Sequence, residues 1–100
     1  MTGALVQIHF ISSDAGGRGA PVIISPSYRP NFRVGTDEYL GVTFVGGSSD
    51  AVSPGSSIQA EAIFVYAPTV NYDALQVGIQ FQVLEGNRIV GVGVVSGITQ

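Results

Sequence analysis

Cysteine, lysine and tryptophan are all missing from this chain of 100 residues, and histidine occurs once, at His9. Without thiols there is neither a disulfide framework nor a thiolate metal site, and a single imidazole cannot build a histidine-rich transition-metal centre. No metal and no cofactor are therefore expected. The only full cations are the arginines Arg18, Arg29, Arg33 and Arg88, set against seven carboxylates for a net charge of -3. Proteins that hold many phosphates carry the opposite balance, so broad electrostatic binding of nucleic acid is disfavoured. No apolar run approaches the ~20 residues of a membrane-spanning helix, and no basic segment followed by an apolar stretch comes after Met1. The expectation is a cytoplasmic protein without membrane contact.

What is present is apolar and turn-rich, with 45% hydrophobic residues and 14 glycines, a composition of ordered rather than disordered chains. The length suits one domain over residues 1–100, with no second core. Ala4, Val6, Ile8 and Phe10 alternate with Leu5, Gln7, His9 and Ile11, the period of a half-buried strand. Ser12-Ser13-Asp14-Ala15-Gly16-Gly17 then forces a turn. Pro21, Pro26 and Pro30 restrict the stretch between them to short, edge-like extended pieces.

Further strands are predicted over residues 32–34, 39–45, 58–66, 78–84 and 89–95. Residues 46–54 form the most polar linker, with a turn at Ser53-Pro54-Gly55. The alternation over 58–66 puts Ile58, Ala60, Ala62, Phe64 and Tyr66 on one side. Glu85-Gly86-Asn87-Arg88 reads as a hairpin turn. In the last strand Gly91 and Gly93 share a face that something must approach closely, while Val90, Val92 and Val94 occupy the other. Apolar residues nowhere recur at helical spacing, so the fold class is all-β.

Four stretches carry a resemblance: Asp14-Ala15-Gly16-Gly17-Arg18 with Pro21; Tyr28-Arg29-Pro30-Asn31-Phe32; Val52-Ser53-Pro54-Gly55; and Glu85 onward to Val95. They resemble, in order and approximate spacing, D-E-G-G-R-H-T-P, Y-R-P-Q-F, V-M-P-G and E-G-G-R-T-V-G-A-G-V-V of the third domain of bacterial elongation factor Tu. That resemblance implies a small antiparallel β-barrel and covers the chain from about Val6 to Val95. It also implies two surfaces, one that holds the T stem of aminoacyl-tRNA and one that packs against neighbouring domains. By this resemblance Arg18, Asn31 and Gly91 are the RNA-binding candidates, with Arg29, Arg33 and Arg88 as secondary basic ones. Gly19 and Ala20 stand where the family has His-Thr, Asn31 shortens a glutamine and Ile89 replaces a threonine. About four extra residues set the 69–77 loop apart, with no role assigned to it.

Arg18, Arg29 and Arg33 suit a phosphate clamp, because guanidinium forks match phosphate oxygens. The competing reading, pairing of Arg29 and Arg33 with Asp37, Glu38 or Glu85 to fix register, is favoured because three arginines among seven acids make a weak field. His9 reads as a solvent-facing or hydrogen-bonded residue rather than a base, and Asp37-Glu38 as a solvated turn whose carboxyls point apart. Tyr28, Phe32, Tyr39, Phe44, Tyr66 and Tyr72 offer stacking faces for bases, although core and core rim are the simpler places for most of them. The expected function is a non-catalytic binding module. A protein partner or a homo-oligomer is favoured, partly through valine- and isoleucine-rich edge strands, with weak tRNA or other RNA binding as the alternative.

The GTPase part of the resembled family is absent, since no G-x-x-x-x-G-K-[ST] loop exists and the chain has no lysine to complete one. Incubation with GTP and magnesium is expected to release no phosphate above buffer, and calorimetry to show no saturable nucleotide binding.

Overall fold

The computed structural model describes residues 2–45 and 51–99. Eight strands run in chain order as β1 (Gly3–Phe10), β2 (Val22–Ile23), β3 (Asn31–Arg33), β4 (Leu40–Phe44), β5 (Ala51–Val52), β6 (Ser57–Phe64), β7 (Gln80–Glu85) and β8 (Arg88–Thr99). Six of them close into an antiparallel barrel in the order β1-β6-β4-β3-β7-β8, and β2 pairs with β5 as a separate ribbon. The turn expected at residues 12–17 is a single 3-10 turn over Ser13–Ala15. No helix of the described residues is long and apolar enough to cross a membrane. The predicted linker begins at residues 46–50, which lie outside the described residues. Its Ser53-Pro54-Gly55 turn is formed, closed by Ser56 N–H donating to the Ser53 carbonyl at 3.1 Å.

Alternation in β1 does what the sequence requires: Ala4, Val6, Ile8 and Phe10 are buried while Leu5, Gln7 and His9 face out. On the opposing strands Phe32, Val42, Phe44, Ala62, Phe81, Val83 and Val95 complete the interior. Aromatic rings form its spine. Tyr28 stacks on Phe44 at 5.9 Å, Phe44 meets Phe32 edge-on at 6.2 Å, and Phe32 stacks on Phe81 at 4.1 Å.

The hairpin between β7 and β8 is a two-residue loop of Gly86 and Asn87, with Gly86 at a φ of 62° as the first position of a type II′ turn requires. β8 runs on to Thr99, beyond the predicted end, and is irregular twice. Against β7, Leu84 pairs with Ile89 and Val83 with Gly91, so Val90 is the extra residue of a bulge. Against β1, Val6 pairs with Val95 and Leu5 with Gly97, which leaves Ser96 as a second, and its Oγ donates to the Leu5 carbonyl at 3.1 Å. The first bulge corrects the expected face of Val90: it turns into the core, whereas Val92, two residues on, is 45% exposed.

Closure corrects another expectation. The barrel has no free edge, so edge-strand pairing is confined to the two-residue strands of the ribbon. Tyr66 is also misplaced by the period-two reading, because β6 ends at Phe64 and the Tyr66 ring lies outside, across Gly41.

Gly93 is a tight point of the wall. It sits opposite Phe81, and a Cβ there would lie 2.5 Å from Cζ of that ring and 2.7 Å from the Gln7 carbonyl oxygen. Because Phe81 is held by Phe32 on its other side, the ring cannot retreat without breaking the aromatic spine. Gly93→Ala is expected to lower unfolding stability by about 1–3 kcal/mol, read from urea denaturation, as overpacking of a filled core does. Gly19→Ala, where a Cβ would meet nothing within 4 Å, is the matched control and should change it little.

Candidate functional site

The first loop and the β7–β8 hairpin are tied together by two arginines. Arg88 Nη2 donates to the carbonyl of Gly17 at 2.7 Å and to that of Gly16 at 3.3 Å. Arg18, next along the loop, places Nε 3.2 Å from Oε2 of Glu85. The same carboxylate oxygen accepts the Tyr28 hydroxyl at 2.7 Å, and the Arg18 guanidinium lies over the Tyr28 ring at 5.8 Å. A short loop, the chain before β3 and a hairpin 57 residues away thus share one carboxylate.

This corrects the expected pairing. Among the described residues it is Arg18, not Arg29 or Arg33, that pairs with a carboxylate, because the loop turned by Ser13–Ala15 delivers it to the hairpin. Arg33 points along the outside of β3, where Nε and Nη2 both donate to Oε1 of Gln82 and the guanidinium covers the Tyr39 ring at 5.3 Å. Asp37 and Glu38 are exposed in the β3–β4 turn, as predicted, and bond neither arginine. Arg29 is exposed with no side-chain partner among the described residues. Arg18 and Arg33 meet β7 at Glu85 and Gln82, about 10 Å apart along the strand at ~3.4 Å per residue, so the three-arginine clamp is not assembled.

The other candidates separate too. Asn31 is half-buried at the start of β3, opposite Leu84 on β7 and Gly41 on β4. Gly91 is buried and faces the lumen: a Cβ there would lie 3.0 Å from the His9 carbonyl oxygen and 3.4 Å from Val83 Cβ. The close approach that its sequence position announced is made by the barrel's own core, so Gly91 presents nothing to an external ligand. Of the candidate stacking residues, Phe32, Phe44 and Tyr72 are buried, Tyr28 is half-buried, and Tyr39 and Tyr66 are exposed.

Sequence reasoning missed the outer wall. Cross-strand register places Ser57, His9, Val92, Gln82 and Arg33 in one row across β6, β1, β8, β7 and β3, with Gln59, Gln7, Val94 and Gln80 in the next. All of these except Arg33 and Gln59 line a groove of about 600 Å³, with Gly35 also in its lining. His9 Nδ1 and Ser57 Oγ are 3.0 Å apart on this wall, and both residues are exposed. Among the described residues no carboxylate orients the imidazole, which is what a serine nucleophile paired with a histidine base needs. Four glutamines on the outward positions of neighbouring strands were the available signal, but pairing order is required before they form one surface. No group of His, Asp and Glu that could hold a metal ion occurs among the described residues. No family model matches the chain.

Burial first, then its hydrogen bond to Glu85, pushes the Tyr28 hydroxyl well above the ordinary tyrosine range. Burial also raises Tyr72. A phenol whose folded pKa is raised holds its proton when the unfolded chain would lose it, so its stabilisation is complete below a pH of about 10 and declines above that. Stability is expected to fall as pH rises past about 10, and Tyr28→Phe to soften that fall, measured by urea denaturation across an alkaline series. Glu85→Gln, which strips the charge from the shared acceptor but leaves it partly exposed, is expected to cost about 1 kcal/mol at neutral pH.

Proposed function

We propose that the chain is a non-catalytic binding module with the barrel of the third domain of elongation factor Tu, and that its outer wall receives a protein partner, a second copy included. Cytoplasmic action belongs to the same reading. The observation that carries it is the commitment of the arginines: Arg18 to Glu85, Arg33 to Gln82 and Tyr39, and Arg88 to the Gly16 and Gly17 carbonyls. A phosphate backbone would have to compete for cations already engaged, leaving Arg29 as the readiest contact. The groove wall offers instead carboxamides, an imidazole and a hydroxyl, with Val92 exposed between them, a mixed surface of the kind found at transient protein interfaces.

The resemblance gains support from the way its stretches meet. Arg88 and Glu85 hold the Gly16-Gly17-Arg18 stretch, Tyr28 reaches Glu85, and Gly55 N–H donates to the Phe10 carbonyl at 2.8 Å, just before that loop. Four matches distant in sequence are joined at one end of the barrel, a pattern that a shared fold produces.

Chemical cross-linking and light scattering of the purified chain at micromolar concentration, with affinity capture before and after nuclease, test the reading. Val92→Glu leaves the fold intact because the position faces outward, and is expected to weaken the complex by roughly tenfold or more, as loss of a central contact does. A strictly monomeric chain that captures no protein overturns the proposal. So does captured material that nuclease removes and whose affinity falls steeply with salt, which would establish the RNA alternative.

A further inference from the structure

The segment between β6 and β7, residues 65–79, folds under the barrel end opposite the arginine cluster. Tyr72 and Leu75 are buried beneath it. The Tyr72 ring stacks on Phe64 at 4.5 Å with only 4° between the planes, and its hydroxyl donates to the Gly41 carbonyl at 2.6 Å while accepting the Tyr66 N–H at 3.1 Å. Backbone bonds from Val70 to Tyr66, Leu75 to Tyr72, Ile79 to Gln76 and Gly78 to Val95 fix the segment's course. It contains the loop that sets this chain apart from the family it resembles, and the outer wall does not use it.

Between this segment and the barrel mouth is a cavity of about 480 Å³, within the range of ~300–1,000 Å³ typical of small-molecule sites. Phe64, Tyr72, Leu75, Val70 and Ile98 give it an apolar lining. The Tyr72 hydroxyl is occupied at Gly41, so this side chain brings an apolar ring rather than a free polar group to the lining.

The polar side chains at the rim have one orientation imposed on them. Asn71 Oδ1 accepts the Asp73 N–H at 2.8 Å and Gln76 Nε2 donates to the Asp73 carbonyl at 2.8 Å, so one end of each amide holds the Asp73 turn, and the Gln76 Oε1 left over is a further acceptor for a cation. The Asp73 carboxylate itself has no hydrogen-bond or ion-pair partner among the described residues, and no arginine lines the cavity. A largely apolar pocket with the exposed Asp73 in its lining, in a chain of net charge -3, complements a ligand with an apolar body and one positive charge.

We propose that this cavity is a binding site for a small organic ammonium ion, its apolar body against Phe64, Tyr72 and Leu75 and its charged nitrogen at Asp73. The protonated amine is the recognised chemistry, and the free amine is the ligand we assign rather than a lysine of a bound polypeptide. Anions are rejected by the same carboxylate, and neutral isosteres lose the charge contribution while keeping the apolar one.

Isotope-edited NMR titration of the full chain with benzylammonium, benzyl alcohol and benzoate separates these contributions. Benzylammonium is expected to shift the amide signals of Val70, Tyr72 and Ile98 and to bind roughly tenfold more tightly than the alcohol, the scale of one partly exposed charge pair, with no binding of benzoate. Asp73→Asn, at an exposed position, should bring the ammonium down to the alcohol. Val70→Trp fills the cavity and should abolish both, with a retained spectrum elsewhere showing that the barrel persists. N-acetyl-lysine methylamide supplies the polypeptide arm and should bind more weakly than benzylammonium; tighter binding would assign the site to a protein side chain. Equal affinity for all three benzyl compounds, an ammonium preference that survives Asp73→Asn, or shifts confined to the outer wall would each overturn the proposal.

Discussion

Closure of the sheet between β1 and β8 is the constraint on which the rest of this molecule depends. Once the ladder is circular, every barrel strand has a neighbour on both sides, and recognition by strand addition has no free edge strand of the six-strand sheet to use. What remains for binding is side chains on the outer wall and cavities at the ends. Closure is itself demanding, because β8 must pair with β7 on one side and β1 on the other while bending between them. Its two bulges, at Val90 and Ser96, supply the bend, and the absence of a side chain at Gly93 lets Phe81 fill the lumen that results.

The arginine cluster shows how residues that read as a contact surface can be structural. The Gly-Gly-Arg loop and the Glu-Gly-Asn-Arg hairpin would each read alone as a basic contact surface. Together they hold one another: Arg88 takes up the loop carbonyls, Glu85 takes Arg18 Nε and the Tyr28 hydroxyl, and the loop is fixed over the hairpin, with Arg18 Nη1 buried and without a hydrogen-bond partner among the described residues. A partly buried carboxylate bonded by a guanidinium and a phenol is more useful for setting geometry than for adding stability, since desolvation offsets much of the attraction. Residues that looked available to a phosphate are thus the ones that hold the fold's end in place.

Period two made β1, β6 and β7 legible because each has one face in the lumen and one outside, whereas β4, buried at Thr43 as well as at Val42 and Phe44, was legible from its β-branched and aromatic residues. The hairpin was legible because Gly86-Asn87 has turn chemistry of its own. Val90 was not, since a bulge inserts one residue and reverses the face of whatever precedes it, and no local signal in Ile89-Val90-Gly91 marks where the insertion falls. The β2–β5 pair was invisible for a different reason: two residues on each side, 28 or more apart, carry no pattern. In the segment before β7, Val70, Tyr72 and Leu75 follow neither a helical nor a strand period, because each is buried by the barrel end rather than by a regular element. As for the sites, the four arginines were visible as residues but their partners were not, and the outer wall needed the strand order β6-β1-β8-β7-β3 before its glutamines became neighbours.

Charge then ranks the surfaces that closure leaves. Pairing Arg18 with Glu85 removes one charge of each sign and leaves the balance at -3, so the remaining acids dominate the long-range field. Such a field slows the approach of polyanions and favours neutral or cationic ligands, with an effect that fades over roughly 8 Å at physiological salt. At shorter range the two free surfaces differ. The outer wall holds Arg33 and neutral hydrogen-bonding groups, so it discriminates by matching donors with acceptors over a broad area. The end cavity concentrates one carboxylate beside stacked rings, so it discriminates by charge at a single point. A barrel without edge strands has in this way two physically distinct concave surfaces, on a wall and at an end that share no side chain.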